Sequence, residues 1–390
     1  MIKISIDSCT GCLACVQACP ISCISAEISE EGFIYPKINS DVCINCRKCE
    51  KVCPLDVPST PSEKPSAYAA VSHHDDVRTS SSSGGVFSLI AEKIISEGGI
   101  VFGAAFDSDF SVVHQYADNV SDIQKFRGSK YLQSNIGNTF KEAKVFLDNG
   151  TTVLFSGTPC QIAGLRSFLG RKYENLICQD IICHSIPSPA VWKHYLFLLT
   201  KGEKPIAVSF RNKENGWEDY TLAIDTESEK VRSPGRTDPY IRAFISGLIS
   251  RKSCFDCRFK DGKSKSDITL ADCWGVKSFA PAAYDKNGVS LVFLNTEKGK
   301  KLFESVSEQC SFTPVDYQAA TDKNPAALYP SNCHRNRKKF MSGYKKLKTA
   351  DDFAELYRKC AKISLYNKSV MTASRIVGKI TKIILKNKEH

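Results

Sequence analysis

No stretch of this chain approaches eighteen uninterrupted apolar residues, so no segment is read as a membrane-spanning helix. The opening residues MIKISIDSC hold no apolar signal region, so export is not expected and a cytoplasmic chain is. A net basic charge is missing from most of the length. The formal net charge is +11, but sixteen Lys and Arg against four Asp and Glu between Ser331 and His390 give +12, which leaves the preceding 330 residues at −1. A nucleic-acid partner calls for a basic face on a folded module with aromatic stacking positions, and the neutral body has none, so that class is set aside. With 390 residues, two or three domains and a large core are expected. Cysteine is abundant, at eighteen. In an unexported chain that many thiols point to metal or redox work rather than crosslinks.

Eight of the nine cysteines in the first fifty-three residues repeat one pattern. Cys9, Cys12, Cys15 and Cys19 precede Pro20; Cys43, Cys46, Cys49 and Cys53 precede Pro54. Each run reads C-x2-C-x2-C-x3-C-P, the spacing of a bacterial two-cluster ferredoxin, in which the fourth Cys of each run serves the other cluster. One 4Fe-4S cluster is therefore assigned to Cys9, Cys12, Cys15 and Cys53, and a second to Cys43, Cys46, Cys49 and Cys19. Crossed ligands suit a segment with too little apolar material to fold alone. Gly11 relieves crowding in the first loop. Zinc sites use paired CxxC and have no use for a third Cys followed by CP, and disulfides need an oxidising compartment. Cys23 is read as a buried spectator.

Pro58, Pro61 and Pro65, with intervening Ser and Thr, form a stiff polar linker. Beyond it the pattern alternates. Strands are predicted at 67–71, 100–106, 152–155 and 176–182. Helices are predicted through Phe87, Ile90, Ala91 and Ile94, over 141–147, through Ile162, Leu165 and Leu169, and over 189–199. The residues 207–211 and 220–224 read as a hairpin, and 291–295 as a late strand. Repeated strand, loop and helix predict an α/β body.

Four further cysteines stand in suggestive places. Cys160 follows a predicted strand at a helix start, Cys183 ends another strand, and Cys254 and Cys257 form a CxxC. Ligands of open α/β sheets gather beyond the carboxyl ends of strands, so a third 4Fe-4S cluster on Cys160, Cys183, Cys254 and Cys257 is one reading. Zinc, scattered core thiols, and a reactive Cys160 thiolate with its pKa lowered by the helix N-terminus stay open beside it. Cys178, Cys273, Cys310, Cys333 and Cys360 are assigned no role.

One-electron carriers commonly serve a flavin, which also moves electron pairs. Its pyrophosphate needs backbone N–H groups at a helix start and small residues for close approach. The run 81–85, Ser-Ser-Ser-Gly-Gly before a helix, is such a place, although not GxGxxG, and a Ser/Gly loop is also ordinary turn chemistry. The run 127–131 adds cations and hydroxyls, and Gly157-Thr158 is a third compact turn.

The blocks SSGGVF at 82–87, GSKYLQS at 128–134, LFSGTPCQ at 154–161, DIICH at 180–184, SCFDC at 253–257 and ADCWG at 271–275 resemble the beta subunit of the coenzyme F420-reducing hydrogenase and its relatives, in order, over roughly residues 66–330. Plant 7-hydroxymethyl chlorophyll a reductase is similar too. The resemblance implies an FAD-binding α/β body with its own 4Fe-4S cluster. It implies electrons exchanged between clusters and FAD, and hydride between FAD and a substrate. Carried over by position, Ser83, Gly84, Gly85, Ser129, Lys130, Tyr131, Ser134, Gly157 and Thr158 become FAD-binding residues, with Lys130 near the isoalloxazine as the catalytic cation. Two departures, Cys273 in place of an aromatic and Ser185-Ile186 in place of Gly-Val, are expected to alter the substrate side.

In the tail, Arg375, Lys379, Lys382 and Lys386 fall on one stripe of a helix over 374–388, opposite Ile376, Val377, Ile380, Ile383 and Ile384, with Ser374 as N-cap. This amphipathic helix suits the anionic inner face of a membrane, or packs on the body or on a partner protein. The expected architecture is α+β/α/β: a two-cluster ferredoxin-like module over 1–57, a linker over 58–66, an FAD-binding body in parts 67–150 and 151–330, and a basic helical tail over 331–390. The expected function is an FAD- and 4Fe-4S-dependent oxidoreductase. Ferredoxin or another redox protein is its electron partner, and an organic hydride acceptor or donor (a deazaflavin, pigment, sugar derivative or quinone) its substrate, with either direction of flow allowed. The rivals are a non-catalytic electron-transfer component of a larger complex and a redox sensor.

Overall fold

The computed structural model describes residues 5–56 and 64–361. In the N-terminal module, strands β1 (Ile24–Ile28) and β2 (Ile34–Ile38) pair antiparallel, and short helices Ala14–Ala18 and Lys48–Lys51 follow the two cysteine loops.

The body is built on a nine-stranded mixed sheet. Its strands are β3 (Ser66–Ser72), β4 (Ile100–Phe106), β5 (Val112–Ala117), β6 (Ser134–Asn135), β7 (Val153–Gly157) and β8 (Leu176–Ile181). After a separate antiparallel sheet of β9 (Ala207–Asn212), β10 (Thr221–Asp225) and β11 (Lys230–Pro234), the chain returns with β12 (Ile268–Asp272), β13 (Ser290–Leu294) and β14 (Cys310–Pro314). The large sheet runs β14-β3-β13-β12-β8-β7-β4-β5-β6. Its centre, β12-β8-β7-β4, is parallel, and both flanks are mainly antiparallel.

Helices cover both faces of this centre, which is why Ile100–Phe106 reads as a continuous apolar run rather than an alternating one. On one face, helix Val86–Ser96 packs Leu89, Ile90 and Ile94 against Val101, Leu154, Ile177 and Ile268. On the other, helices Thr139–Asp148 and Pro159–Leu169 pack Phe140, Leu147, Ile162 and Leu165 against Phe102, Val153 and Phe155.

Residues 331–361 differ from the tail that their charge predicts. Helices Arg337–Gly343 and Ala350–Ala361, with the turn Tyr344–Lys346 between them, bury Phe340, Met341, Tyr344, Phe353 and Cys360 against Trp192, Tyr195 and Phe244. Their apolar residues recur at helical spacing between the lysines, and net charge hid that stripe. The predicted 374–388 helix lies outside the described residues. No helix among the described residues is long and apolar enough to cross a membrane.

The module is seated on the body by buried polar contacts. Gln17 Oε1 accepts from the N–H groups of Phe140 (3.0 Å) and Lys141 (3.2 Å) at the start of a body helix. Gln133 Oε1 accepts from the Ile34 N–H at 2.9 Å. Arg337 donates through Nη1 to Glu31 Oε1 at 2.9 Å and through Nε to the Ser250 carbonyl at 2.8 Å. A Cβ on Gly32 would stand 2.3 Å from that of Ala190, so the hairpin's turn touches helix Pro189–Thr200 directly.

Candidate functional site

The two module loops share a backbone signature. The residues before the second cysteine, Gly11 (φ 70°) and Asn45 (φ 52°), and those after it, Leu13 (φ 58°) and Arg47 (φ 57°), are left-handed in both. Alternating left- and right-handed residues curl successive N–H groups into a concavity suited to an anion, a form typical of iron–sulfur sites. Gly11 serves a further need, because a Cβ there would lie 2.7 Å from the Ile34 carbonyl and 2.8 Å from Gln133 Nε2.

The loops exchange their last cysteines. Cys53 acts electrostatically on both Cys12 and Cys15, as Cys9 does. Burial, then these like groups, pushes Cys12 up to about 12 and Cys15 higher, and burial pushes Cys53 up to about 11. Cys19 shares a small hollow with Cys43, Cys46 and Cys49. Both groupings follow the crossed assignment. Cys23 is buried beside the second group, its Sγ 3.4 Å from that of Cys19 and its N–H donating to Cys19 Sγ at 3.3 Å.

The four body cysteines also gather. Cys160 is the second residue of helix Pro159–Leu169, just past β7. Cys183 follows β8, and Cys254 and Cys257 lie on and just after the turn Lys252–Asp256. Cys183 feels Cys254, Cys160 and Cys257 electrostatically, and Cys160 feels Cys257. The Ile186 N–H donates to Cys254 Sγ at 3.3 Å. Burial pushes Cys160 and Cys254 up to about 12, and Cys183 well above the usual thiol value. For Cys160, burial and the neighbouring Cys257 and Cys12 act against the helix N-terminus that would favour a thiolate. Among the described residues, no three His, Cys, Asp or Glu side chains close on a single ion-sized point. A cube with thiolates at its corners spreads them wider than one ion does, and clustered thiols of raised pKa give up their protons when iron arrives.

The first and third tetrads adjoin. A Cβ on Gly164, one turn into the helix that carries Cys160, would stand 3.0 Å from Cys12 Sγ. Cys160 and Cys183 in turn line a cavity of about 950 Å³, as do Thr10 and Gly11.

That cavity opens where the parallel strands end, at Gly157 of β7, Ile181 of β8 and Asp272 of β12, the usual ligand position in such sheets. Of the FAD residues carried over by resemblance, Ser83, Gly85, Ser129, Lys130, Tyr131, Ser134, Gly157 and Thr158 line it. Gly84 does not; a Cβ there would meet the Ala70 carbonyl at 2.3 Å, so its glycine lets the loop press onto the sheet. Gly85, in the left-handed conformation, starts helix Val86–Ser96, whose first residues line the wall. The Ser82 and Ser129 hydroxyls meet at 2.8 Å and tie the two loops together. Behind them Lys213 Nζ donates to the carbonyls of Ser83 (2.7 Å) and Arg78 (2.8 Å).

Lys130 Nζ donates to the Arg127 carbonyl at 3.0 Å and stands 5.7 Å from the Phe106 ring centre. It lines the cavity, and desolvation lowers its pKa to about 7. Ser134 is only half available. His114 Nε2 meets the Ser156 carbonyl at 3.1 Å, and a carbonyl only accepts, so Nε2 carries the proton and Nδ1 accepts from the Ser134 hydroxyl.

A wall absent from the sequence reading completes the cavity. Arg211 is buried, pairs with both oxygens of Asp272 (2.8 and 3.1 Å) and reaches Tyr131 Oη at 3.3 Å. Its guanidinium lies 4.1 Å from the Tyr220 ring centre and 5.0 Å from that of Trp274, which stacks on Trp217 at 4.9 Å. The WG of the ADCWG block was its one visible signal. Of the two departures, Ser185 and Ile186 line the cavity as expected, but Cys273 does not; it is fully buried in a core with Trp217 and Leu291 and cannot touch a substrate.

Residues 150–318 match the family described as the C terminus of the coenzyme F420 hydrogenase/dehydrogenase beta subunit, and residues 8–57 match the 4Fe-4S dicluster domain. A solved structure of the F420-reducing NiFe hydrogenase complex from Methanosarcina barkeri, obtained in xenon derivatization, contains a chain 17% identical to this one, with a TM-score of 0.47 over 69% of this chain and 93% of that one. No curated protein matches.

Proposed function

We propose that this chain, whose residues 8–57 match the 4Fe-4S dicluster domain and whose residues 150–318 match the C terminus of the coenzyme F420 hydrogenase/dehydrogenase beta subunit, is an FAD-dependent oxidoreductase with three 4Fe-4S clusters. It exchanges hydride with an organic substrate in the 950 Å³ cavity. The observation that carries this reading is continuity: tetrad Cys9/Cys12/Cys15/Cys53 adjoins tetrad Cys160/Cys183/Cys254/Cys257, which opens on the cavity. When bound, the clusters carry single electrons and the flavin converts them to pairs.

The chain's own residues do the rest. Ser83, Gly85 and Ser129, with the N-terminus of helix Val86–Ser96, receive the pyrophosphate. Lys130 presents an ammonium to the ring system, where it favours a reduced, anionic flavin. Tyr131, Gly157 and Thr158 form the adjoining walls. The Arg211–Asp272 pair and the stacked tryptophans hold the substrate side rigid, with the cation already neutralised. A cavity with this much room beyond a fixed wall favours a substrate site in this chain over a reading in which another protein holds it. A redox protein such as ferredoxin exchanges electrons at the module.

The test is the iron, sulfide and flavin content of anaerobically purified protein. About twelve iron atoms, four per tetrad, and one FAD are expected. Eight iron and no flavin would leave a dicluster ferredoxin with a body of other purpose.

A further inference from the structure

Three arginines are buried among the described residues: Arg211, Arg251 and Arg337. Arg211 is paired with Asp272 and Arg337 with Glu31. Arg251, only 1% exposed, has no carboxylate partner among the described residues. Its Nε donates to the Cys9 carbonyl (2.9 Å), and its Nη1 to the Ile34 carbonyl (3.0 Å) and Gln133 Oε1 (3.3 Å). Its Nη2 is buried with no acceptor at all. The ring of Tyr35 lies 3.9 Å from the guanidinium carbon and fixes its plane.

A buried, unpaired cation is strongly unfavourable, and proteins pair such charges or bind something that does. The surroundings of Arg251 name the missing partner. It reaches out of the body into the module, against the loop that holds Cys9 and Cys12; a Cβ on Gly11 would stand 2.9 Å from Nη1. Within the body it also acts electrostatically on Cys160 and Cys254. The backbone of the Cys9–Cys12 loop on one side and the thiols of Cys160 and Cys254 on the other therefore flank one guanidinium. A cube held by four thiolates carries net negative charge, and more of it when reduced.

We propose that Arg251 is the shared counter-ion of the groups bound by Cys9/Cys12/Cys15/Cys53 and by Cys160/Cys183/Cys254/Cys257, a positioning residue that stabilises their reduced states and so raises both reduction potentials. This rests on the three-cluster reading above. The unpaired Nη2 is the donor free to face a cluster.

The experiment is an anaerobic potentiometric titration of the full chain followed by electron paramagnetic resonance, with iron content determined in parallel. In Arg251→Gln, two cluster signals are expected to move to more negative potential while the third, from Cys19/Cys43/Cys46/Cys49, stays at its native value. Gln133→Glu gives a reading that does not require removing Arg251: a carboxylate at that position neutralises the guanidinium and shifts the same two signals in the same direction. If Arg251→Gln does not fold, the Gln133→Glu titration decides alone. Full iron content with all three potentials at native values overturns the role of Arg251. Fewer than three clusters in the native chain overturns the reading on which it rests.

Discussion

Gly164 and Cys12 touch: a Cβ added to the glycine would lie 2.9 Å from the cysteine's Cβ and 3.0 Å from its Sγ. No other residue type fits at this point of helix Pro159–Leu169 without moving the first cysteine loop. Gly164→Ala is expected to cost about 1–3 kcal/mol through overpacking and to deplete iron from the first tetrad while the second keeps its own. Chemical denaturation and iron analysis measure both; undiminished iron would mean that the helix can retreat without disturbing the loop.

His114 makes the fold sensitive to acid. Burial lowers its pKa to about 4 from the ordinary 6.5. Between those values the unfolded chain binds a proton that the native chain does not, so stability rises with pH across the window and is lost as pH falls through it. The full contribution is about 3 kcal/mol. His114→Gln is expected to flatten this part of the curve, as read by urea unfolding at pH 4.5 and pH 7.

Lys130 sits at the opposite kind of threshold. Burial brings its pKa down to about 7, so its ammonium is fully charged only below that pH in the empty cavity. An anionic ligand draws the proton back and moves the window upward. Lys130→Met is expected to lower the midpoint potential of bound flavin and to remove its pH dependence near neutrality, as spectroelectrochemical titration would record. An unchanged potential would place the amine outside the ring's reach.

The clasp between Arg337 and Glu31 is a separate matter of stability. Arg337 is buried and Glu31 is one-third exposed, at 33%. Arg337→Leu leaves that carboxylate unpaired, at a cost of about 2–3 kcal/mol, less than a fully buried pair because water reaches Glu31. Lower melting temperature and faster proteolysis of the module are the expected readouts.

What the sequence made legible was whatever depends on spacing. The dicluster domain over residues 8–57 is announced by C-x2-C-x2-C-x3-C-P, and strand β4 occupies the predicted range Ile100–Phe106 because a doubly covered strand is apolar throughout. The order of the strands was not legible. β3 lies between β13 and β14, more than two hundred residues away, and nothing local encodes such pairings. The Arg211–Asp272 wall and the role of His114 were also hidden, since each is made by residues that meet only after the sheet has formed. Arg251 had one faint signal, its position three residues ahead of Cys254. Charge misled once, where a lysine-rich stretch concealed the buried Phe340 and Phe353.

The hairpin of the module closes on Arg337, 306 residues downstream of Glu31. During synthesis the module precedes every residue it docks on, and Arg337 is the last of those contacts to emerge, after Gln133, Phe140 and Ala190. Newly made protein therefore passes through an interval in which the cysteine loops are complete but unfastened.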